Sequence, residues 1–197
     1  MNKMIIGLVG YSGSGKSLFT QIVRNNYEIP VISTGDFVRA EVKKRGFELT
    51  SKDIFRVSNE IRKENDGVFI KSLMTQINTN LIKSNAVIID SFRQKVDYVE
   101  LINQKISDVV IVGISTPDNY RHARLIVRAR ELSKITLSDF SQLTRFEENL
   151  GFSELYSLAD YKILNSGSKI AFESLVLNII SQIETEHCFS FKKILRD

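Results

Sequence analysis

The sequence predicts an α/β protein whose parallel sheet is covered by helices on both faces. Short apolar runs alternate along the chain with longer segments of helical periodicity, the order of elements that builds such a sheet. Two runs, residues 86–89 and 109–112, are apolar throughout, as expected of strands buried on both sides. A glycine-rich segment, residues 10–17, follows the first apolar run and precedes a helical one, the arrangement of an anion-binding loop.

The individual elements follow from local patterns. Strands are predicted over residues 4–9, 31–33, 86–90, 109–114 and 161–164. Helices are predicted over residues 16–25, 37–45, 52–63, 68–83, 96–104, 118–130, 138–150 and 170–185. Start signals support three helices: Thr50 and Ser51 precede the third, Pro117 opens the sixth, and Ser138 with Asp139 begins the seventh.

The composition is that of an ordinary globular domain. The chain has 197 residues, 43% of them apolar and 25% charged, enough for one domain with a substantial core. The net charge of +4 comes without a block of Lys or Arg, so we expect an anionic small ligand and no nucleic acid. A single cysteine, Cys188, and the lack of a long apolar stretch predict a cytoplasmic protein that does not cross a membrane.

The glycine-rich segment Gly10-Tyr11-Ser12-Gly13-Ser14-Gly15-Lys16-Ser17 matches the pattern G-x-x-x-x-G-K-[ST] of a phosphate-binding loop, or P-loop. Its glycines allow the backbone to bend around an anion, its lysine reaches the β- and γ-phosphates, and its last hydroxyl holds Mg²⁺. We therefore predict nucleotide contacts from Gly10, Ser12, Gly13, Ser14, Gly15, Lys16, Ser17 and Leu18. The alternative is a glycine-rich turn that binds nothing.

Asp90 closes one of the buried strands. An acidic residue at the carboxyl end of a parallel strand faces the crevice where ligands bind in such sheets. We predict that Asp90 and Ser17 hold Mg²⁺, Asp90 directly or through water. The alternative is an Asp that only satisfies backbone donors of the next turn.

Further segments, in the order in which they occur, resemble a known group of enzymes. They are residues 33–39 (STGDFVR), 89–93 (IDSFR), an arginine-rich helix, and residues 159–165 (ADYKILN). Together with the P-loop they resemble the nucleoside monophosphate kinase group, most closely its small dephospho-CoA kinase-like and adenylate kinase-like members. The resemblance covers about residues 4–185. It implies a P-loop NTPase three-layer sandwich, a five-stranded parallel sheet of order 2-3-1-4-5, and ATP with Mg²⁺ as cofactors.

Two stretches without a strand complete the predicted layout of a single kinase domain. Residues 35–83 are helical and are interpreted as an acceptor-binding region, and residues 121–150 as an Arg-rich lid. The core then comprises residues 1–34, 84–120 and 159–185. Residues 186–197 form a tail that either docks on the core or serves self-association.

The resemblance assigns acceptor-binding roles to three residues. Asp36 and Arg39 follow the second strand, where the arginine would grip the acceptor's phosphate and the aspartate would orient or deprotonate an acceptor hydroxyl. Arg93 matches the arginine that grips the acceptor phosphate after the Asp90 strand, although Ser91 stands where glycine is typical. A solvated surface charge is the alternative for Arg39.

Asn59 and Arg62 are further candidates for binding the acceptor. Three residues separate them in a predicted helix, so both side chains lie on one helical face and could reach the same ligand. A solvated helix face is an equal alternative.

The lid contains the densest group of arginines: Arg121, Arg124, Arg128 and Arg130. Arginines that approach with a closing lid stabilise the charge that spreads over a transferring phosphoryl group. We predict catalytic roles for Arg124 and Arg128, together with Lys16, Asp36 and Arg93. For Arg121 and Arg130 the alternative is a surface pair with Asp118 or Glu131.

The turn after the last predicted strand is the remaining candidate site. In similar kinases it cradles the adenine, so the resemblance implies a nucleotide contact at Asn165. Ser168 in the same turn also fits a helix N-cap, and the two roles are compatible.

These observations predict an ATP- and Mg²⁺-dependent phosphotransferase, a monomer or homodimer, whose acceptor is a nucleoside monophosphate or dephospho-CoA. The alternative is an ATPase or switch module that acts through a protein partner. A GTPase switch would need an N-K-x-D segment, which the chain lacks. A catalytically silent nucleotide-binding protein is a third hypothesis.

Overall fold

The computed structural model describes residues 3–64, 67–129 and 136–194. Its strands are β1 (Met4–Val9), β2 (Val31–Ser33), β3 (Ala86–Asp90), β4 (Asp108–Ser115) and β5 (Tyr161–Leu164). Its helices are α1 (Lys16–Asn26), α2 (Thr34–Lys44), α3 (Ser51–Glu64), α4 (Val68–Ser84), α5 (Lys95–Asn103), α6 (Asp118–Ala129), α7 (Leu137–Asn149), α8 (Phe152–Ser157) and α9 (Lys169–Glu186).

The sheet has the predicted order, β2-β3-β1-β4-β5, and its neighbouring strands are parallel. The first strand lies at the centre between β3 and β4. Leu8 pairs with Asp90 in the register of β1 and β3. Asp90, at the end of β3, therefore lies next to the end of β1, where the P-loop begins. This edge of the sheet is where ligands bind in open α/β folds.

Each face of the sheet buries its own apolar cluster. Alternate side chains of β1 point to opposite faces: Met4, Ile6 and Leu8 pack with helices α1 and α9, whereas Ile5 and Val9 pack with α4 and α5. Helices therefore cover both sides, and the three-layer prediction is confirmed.

The chain after β3 crosses over β1 and comes close to the P-loop. The Phe92 backbone N–H donates to the Leu8 carbonyl at 3.0 Å, and the Phe92 ring is buried. A Cβ on Gly7 would lie 1.9 Å from that ring, so only glycine leaves room for it. This packing carries the next residue, Arg93, to the side of the P-loop.

Two local features differ from the sequence expectations. Helix α2 begins at Thr34, three residues earlier than predicted, because the Ser33 side chain caps it by accepting a hydrogen bond from the Asp36 N–H. Helix α8 was not predicted; it is only six residues long and follows directly on α7 through Gly151.

Part of the tail packs on the core. Phe189 and Phe191 are buried in the cluster that contains β1, and Lys193 forms an isolated antiparallel bridge with Tyr27. Of the two roles left open for the tail, the structure thus shows docking. None of the helices in the described ranges has the length and apolar character needed to span a membrane.

Candidate active site

The P-loop bends tightly between β1 and α1. Gly13 and Gly15 have φ angles of 83° and 111°, values that side chains rarely tolerate. A Cβ on Gly15 would also lie 2.3 Å from the Asn165 amide nitrogen, and one on Gly13 would lie 2.9 Å from the Arg121 carbonyl oxygen. Gly15 stands directly before the first residue of α1, so the positive end of that helix opens into the loop.

A cleft of about 270 Å³ opens in front of the P-loop. It is lined by Ser12, Gly13, Gly15, Lys16, Ser17, Ser33, Thr34, Gly35, Arg39, Asp90, Ser91, Arg93, Arg124 and Leu125. Four of these residues are cations and one is a carboxylate. The arrangement favours a ligand that carries several negative charges.

Lys16 is held at the centre of the loop. Its Nζ donates to the Gly10 and Tyr11 carbonyl oxygens, the second at 3.1 Å. The pKa of Lys16 is lowered to about 8, mainly by burial and also by the nearby Arg93 charge, while Glu147 and Asp90 oppose the shift. A buried cation whose charge is only partly compensated by neighbouring groups is well placed to receive phosphate oxygens.

Ser17 and Asp90 line the same cleft and offer the oxygen ligands that Mg²⁺ prefers. Within the described ranges, no three His, Cys, Asp or Glu side chains are grouped so that they could hold a metal ion. Mg²⁺ usually binds one or two protein oxygens together with substrate phosphates. The two residues fit such a site.

Asn165 links the last strand to the P-loop. It is 2% exposed, and its Nδ2 donates to the Ser14 carbonyl at 2.8 Å. A second cavity of about 270 Å³ adjoins it, lined by Gly15, Leu18, Arg124, Asn165, Gly167 and Lys169. This cavity lies where the resemblance places the adenine.

Arg124 reaches the P-loop from helix α6. Its guanidinium donates to the Gly13 and Ser14 carbonyls at 3.3 Å and to the Asn165 side chain at 3.2 Å. The side chain of Arg128 and the whole of Arg130 lie outside the described residues, as does Glu131. Of the predicted lid arginines, Arg124 is therefore placed at the cleft.

The environment of Arg121 differs from the exposed surface ion pair that the sequence suggested. The pair with Asp118 forms at 2.8 Å, but Arg121 is 1% exposed. Its Nε donates to the Ser12 carbonyl at 3.0 Å, and its guanidinium lies 4.3 Å from the centroid of the Tyr11 ring. Arg121 thus supports the outer side of the P-loop and is not a solvated residue.

Glu147 is the functional candidate that sequence reasoning missed. It is 4% exposed and accepts hydrogen bonds from the Ser12 N–H at 2.9 Å, from the Ser12 hydroxyl at 2.7 Å and from Arg93 at 3.2 Å. A signal exists in its spacing, because Glu147 follows the buried Phe140 by two helical turns and so lies on the apolar face of α7.

Helix α2 lines the side of the cleft where the acceptor is predicted to bind. Arg39 lines the main cleft, and its guanidinium pairs with the Asp36 carboxylate, whose side chain is 72% exposed. Asp36 lines an adjoining cavity of about 320 Å³, which shares Arg39, Ser17 and Asp90 with the main cleft. The two predicted acceptor residues therefore lie together beside the predicted Mg²⁺ ligands.

Asn59 and Arg62 are not among the residues that line these cavities. The Arg62 guanidinium lies 4.6 Å from the centroid of the Phe69 ring and donates to Ser58. Burial, with a smaller effect of Arg93, lowers the pKa of Arg62 to about 10. Their assignment to the acceptor stays a prediction.

Comparison with known proteins places the chain in a family. A family model described as an AAA domain matches residues 9–139, more than half of the chain. A UPF0200 protein of Thermococcus onnurineus is 32% identical over 187 residues, which cover 93% of this chain and 100% of the relative. The chain belongs to the UPF0200 family.

Solved structures similar to this UPF0200 chain include two kinases. A shikimate kinase from Aquifex aeolicus is 21% identical with a TM-score of 0.54, over 95% of this chain and 100% of its own. A gluconokinase from Sinorhizobium meliloti is 15% identical with a TM-score of 0.56, over 94% of both chains. The predicted P-loop kinase-like fold is confirmed.

Proposed function

We propose that the protein is an ATP- and Mg²⁺-dependent phosphotransferase that acts on a small nucleotide-like acceptor such as a nucleoside monophosphate or dephospho-CoA. One observation carries the proposal: a single cleft brings together Lys16, Ser17 and Asp90 with Arg39 and Arg93. The first three suit a nucleotide triphosphate and its metal. The two arginines, from two other segments, suit a second phosphate.

The residues of the cleft divide into donor and acceptor groups. The P-loop N–H groups and Lys16 would hold the β- and γ-phosphates of ATP, and the Asn165 cavity would hold the adenine. Ser17 and Asp90 would hold Mg²⁺, which neutralises phosphate charge when bound. Arg124 contacts the P-loop from α6, and with Arg128 it would stabilise charge on the transferred group.

The acceptor would lie against α2. Arg39 and Arg93 would bind its phosphate, with Asn59 and Arg62 as further candidates on α3. Arg93 also lies close to Lys16 and Ser12, so it would contact the γ-phosphate of ATP as well. A phosphate acceptor is already an anionic nucleophile and needs only positioning, whereas a hydroxyl acceptor benefits from a base. Asp36 is exposed beside Arg39 and would orient or deprotonate such a hydroxyl.

The test is ADP release from Mg·ATP across a panel of acceptors. The panel comprises AMP, CMP, UMP, GMP, their deoxy forms, dephospho-CoA, shikimate, gluconate and a control without acceptor. We expect one phosphorylated acceptor to stimulate ADP release, and the Lys16→Met variant to abolish the stimulation. ADP release that no acceptor changes would favour the ATPase or switch function instead, and stimulation by a carboxylate acceptor alone would contradict the proposed class.

A further inference from the structure

Glu147 connects three segments that surround the P-loop. Its carboxylate accepts from both the N–H and the hydroxyl of Ser12, and it pairs with Arg93 at 3.2 Å and Arg121 at 3.6 Å. A carboxylate that is 4% exposed is stable in its charged form only with such partners.

The carboxylate lies behind the cleft and does not fill it. Ser12 and Arg93 both line the main cleft, but Glu147 does not. It lines a small space on the other side, together with Gly10, Phe92 and Leu150. Glu147 therefore holds two residues of the cleft without lining it. Both donors of Ser12 are used by the carboxylate, whereas Arg93 bonds to it through one guanidinium nitrogen and keeps further donors for a ligand.

The negative charge of Glu147 also offsets the positive charges that lie beside the P-loop. Lys16, Arg93 and Arg121 converge on the P-loop, and the two arginines lower the pKa of Lys16, whereas Glu147 raises it. Without the carboxylate, Arg93 would face two other cations and would be expected to move away from them. An arginine without a fixed position binds a phosphate with a larger loss of conformational entropy.

We propose that Glu147 is a positioning residue, which fixes Ser12 of the P-loop and the Arg93 guanidinium in the geometry that binds the phosphates of the nucleotide. The inference rests on the nucleotide-binding part of the proposed function. It does not depend on which acceptor the enzyme uses.

The direction in which ATP affinity changes distinguishes a positioning role of Glu147 from a purely electrostatic role. Removal of a negative charge next to an anion-binding cleft should, from Coulomb's law alone, strengthen ATP binding. A positioning role predicts the opposite, because Glu147→Gln places an amide donor where Ser12 and Arg121 need an acceptor. Glu147→Asp keeps the charge but shortens the side chain, so positioning predicts weaker binding here too.

The experiment is calorimetric titration of each variant with Mg·ATP. We expect the Kd to rise about tenfold for Glu147→Gln and for Glu147→Asp, as for the loss of one charge-assisted hydrogen bond. Glu148→Gln is the matched control, because Glu148 is the next residue on α7, is exposed and pairs with Ser153. Its Kd should equal that of the wild type.

A double-mutant cycle tests whether Glu147 acts through Arg93. We expect Arg93→Ala to weaken Mg·ATP binding in the wild type but to have much less effect in the Glu147→Gln background. Ser12→Ala removes only a hydroxyl from a half-buried loop residue, so it folds even if the Glu147 variants do not. It should weaken binding about threefold, because Glu147 loses its bond from the Ser12 hydroxyl but keeps its bond from the Ser12 N–H.

Each outcome is decisive. Tighter binding or an unchanged Kd in both Glu147 variants would overturn the inference, as would full additivity with Arg93→Ala. If the Glu147 variants do not fold, an unchanged Kd for Ser12→Ala would overturn it. A wild type that binds Mg·ATP but phosphorylates no acceptor would contradict the proposed function alone, and the Kd values would still decide the role of Glu147.

Discussion

The affinity for Mg·ATP should fall as the pH rises through about 8, because Lys16 loses its charge in that range. Burial is the main reason that the pKa of Lys16 lies at about 8 instead of its ordinary value of 10.5. Bound phosphates would stabilise the charged amine and raise its pKa again. Binding above pH 8 must therefore take up a proton.

The size of the effect follows from the pKa. With a pKa of about 8, about nine-tenths of the lysine is charged at about pH 7 and about one-tenth at about pH 9. If only the charged form binds, the Kd rises about tenfold between these two pH values. Proton uptake on binding rises over the same range from about 0.1 to about 0.9 per nucleotide.

Calorimetry measures both quantities. Titration with Mg·ATP in two buffers of different ionisation enthalpy gives the Kd and the number of protons taken up at each pH. The Lys16→Arg variant, whose guanidinium stays charged over this range, is the control and should show neither change. A Kd and a proton uptake that stay constant up to about pH 9.5 in the wild type would refute the reasoning.

Four further substitutions test other parts of the structure. Lys16→Met removes a buried charge, so differential scanning calorimetry without nucleotide at about pH 7 should show a Tm no lower than that of the wild type, although turnover is lost; a clearly lower Tm would contradict this. Asp90→Asn should raise the Mg²⁺ concentration for half-maximal turnover about tenfold without weakening the binding of metal-free ATP; an unchanged Mg²⁺ dependence would remove Asp90 from the metal site. Arg39→Ala should raise the KM of the acceptor about tenfold or more with little change in the KM of ATP, and the opposite pattern would assign Arg39 to the donor. Phe92→Ala opens a cavity beside Gly7 and should reduce the free energy of unfolding by about 3–5 kcal/mol in urea, whereas a loss below about 1 kcal/mol would mean that the ring is not needed there.

Much of the fold could be predicted because its signals are local. The continuous apolar runs became the central strands, and the P-loop pattern fixed the connection from β1 to α1. The strand order came from the resemblance to the kinase group, since parallel pairing joins residues far apart in sequence. The early start of α2 had a local signal as well, because Ser33 and Asp36 stand at capping distance, but Gly35 between them is a poor helix former.

Cleft residues that belong to a sequence motif could be predicted. Residues that reach the cleft through tertiary contacts could not. Lys16, Ser17 and Asp90 occupy places that the motif and the strand end define, and the structure brings them to one cavity. Arg121 and Glu147 instead contact Ser12 across 109 and 135 residues of sequence. No local pattern indicates that such partners will meet.

A buried charged side chain can nevertheless be recognised in the sequence by its position on the apolar face of a helix. Charged side chains on a helix are normally solvated, since burial of an unpaired charge costs several kcal/mol. Glu147 stands on the same face of α7 as Phe140, and both are buried. A charged residue at an apolar position of an amphipathic helix must find a partner of opposite charge in the core. In this chain the partners are the two arginines beside the P-loop, so the buried carboxylate leads directly to the proposed site.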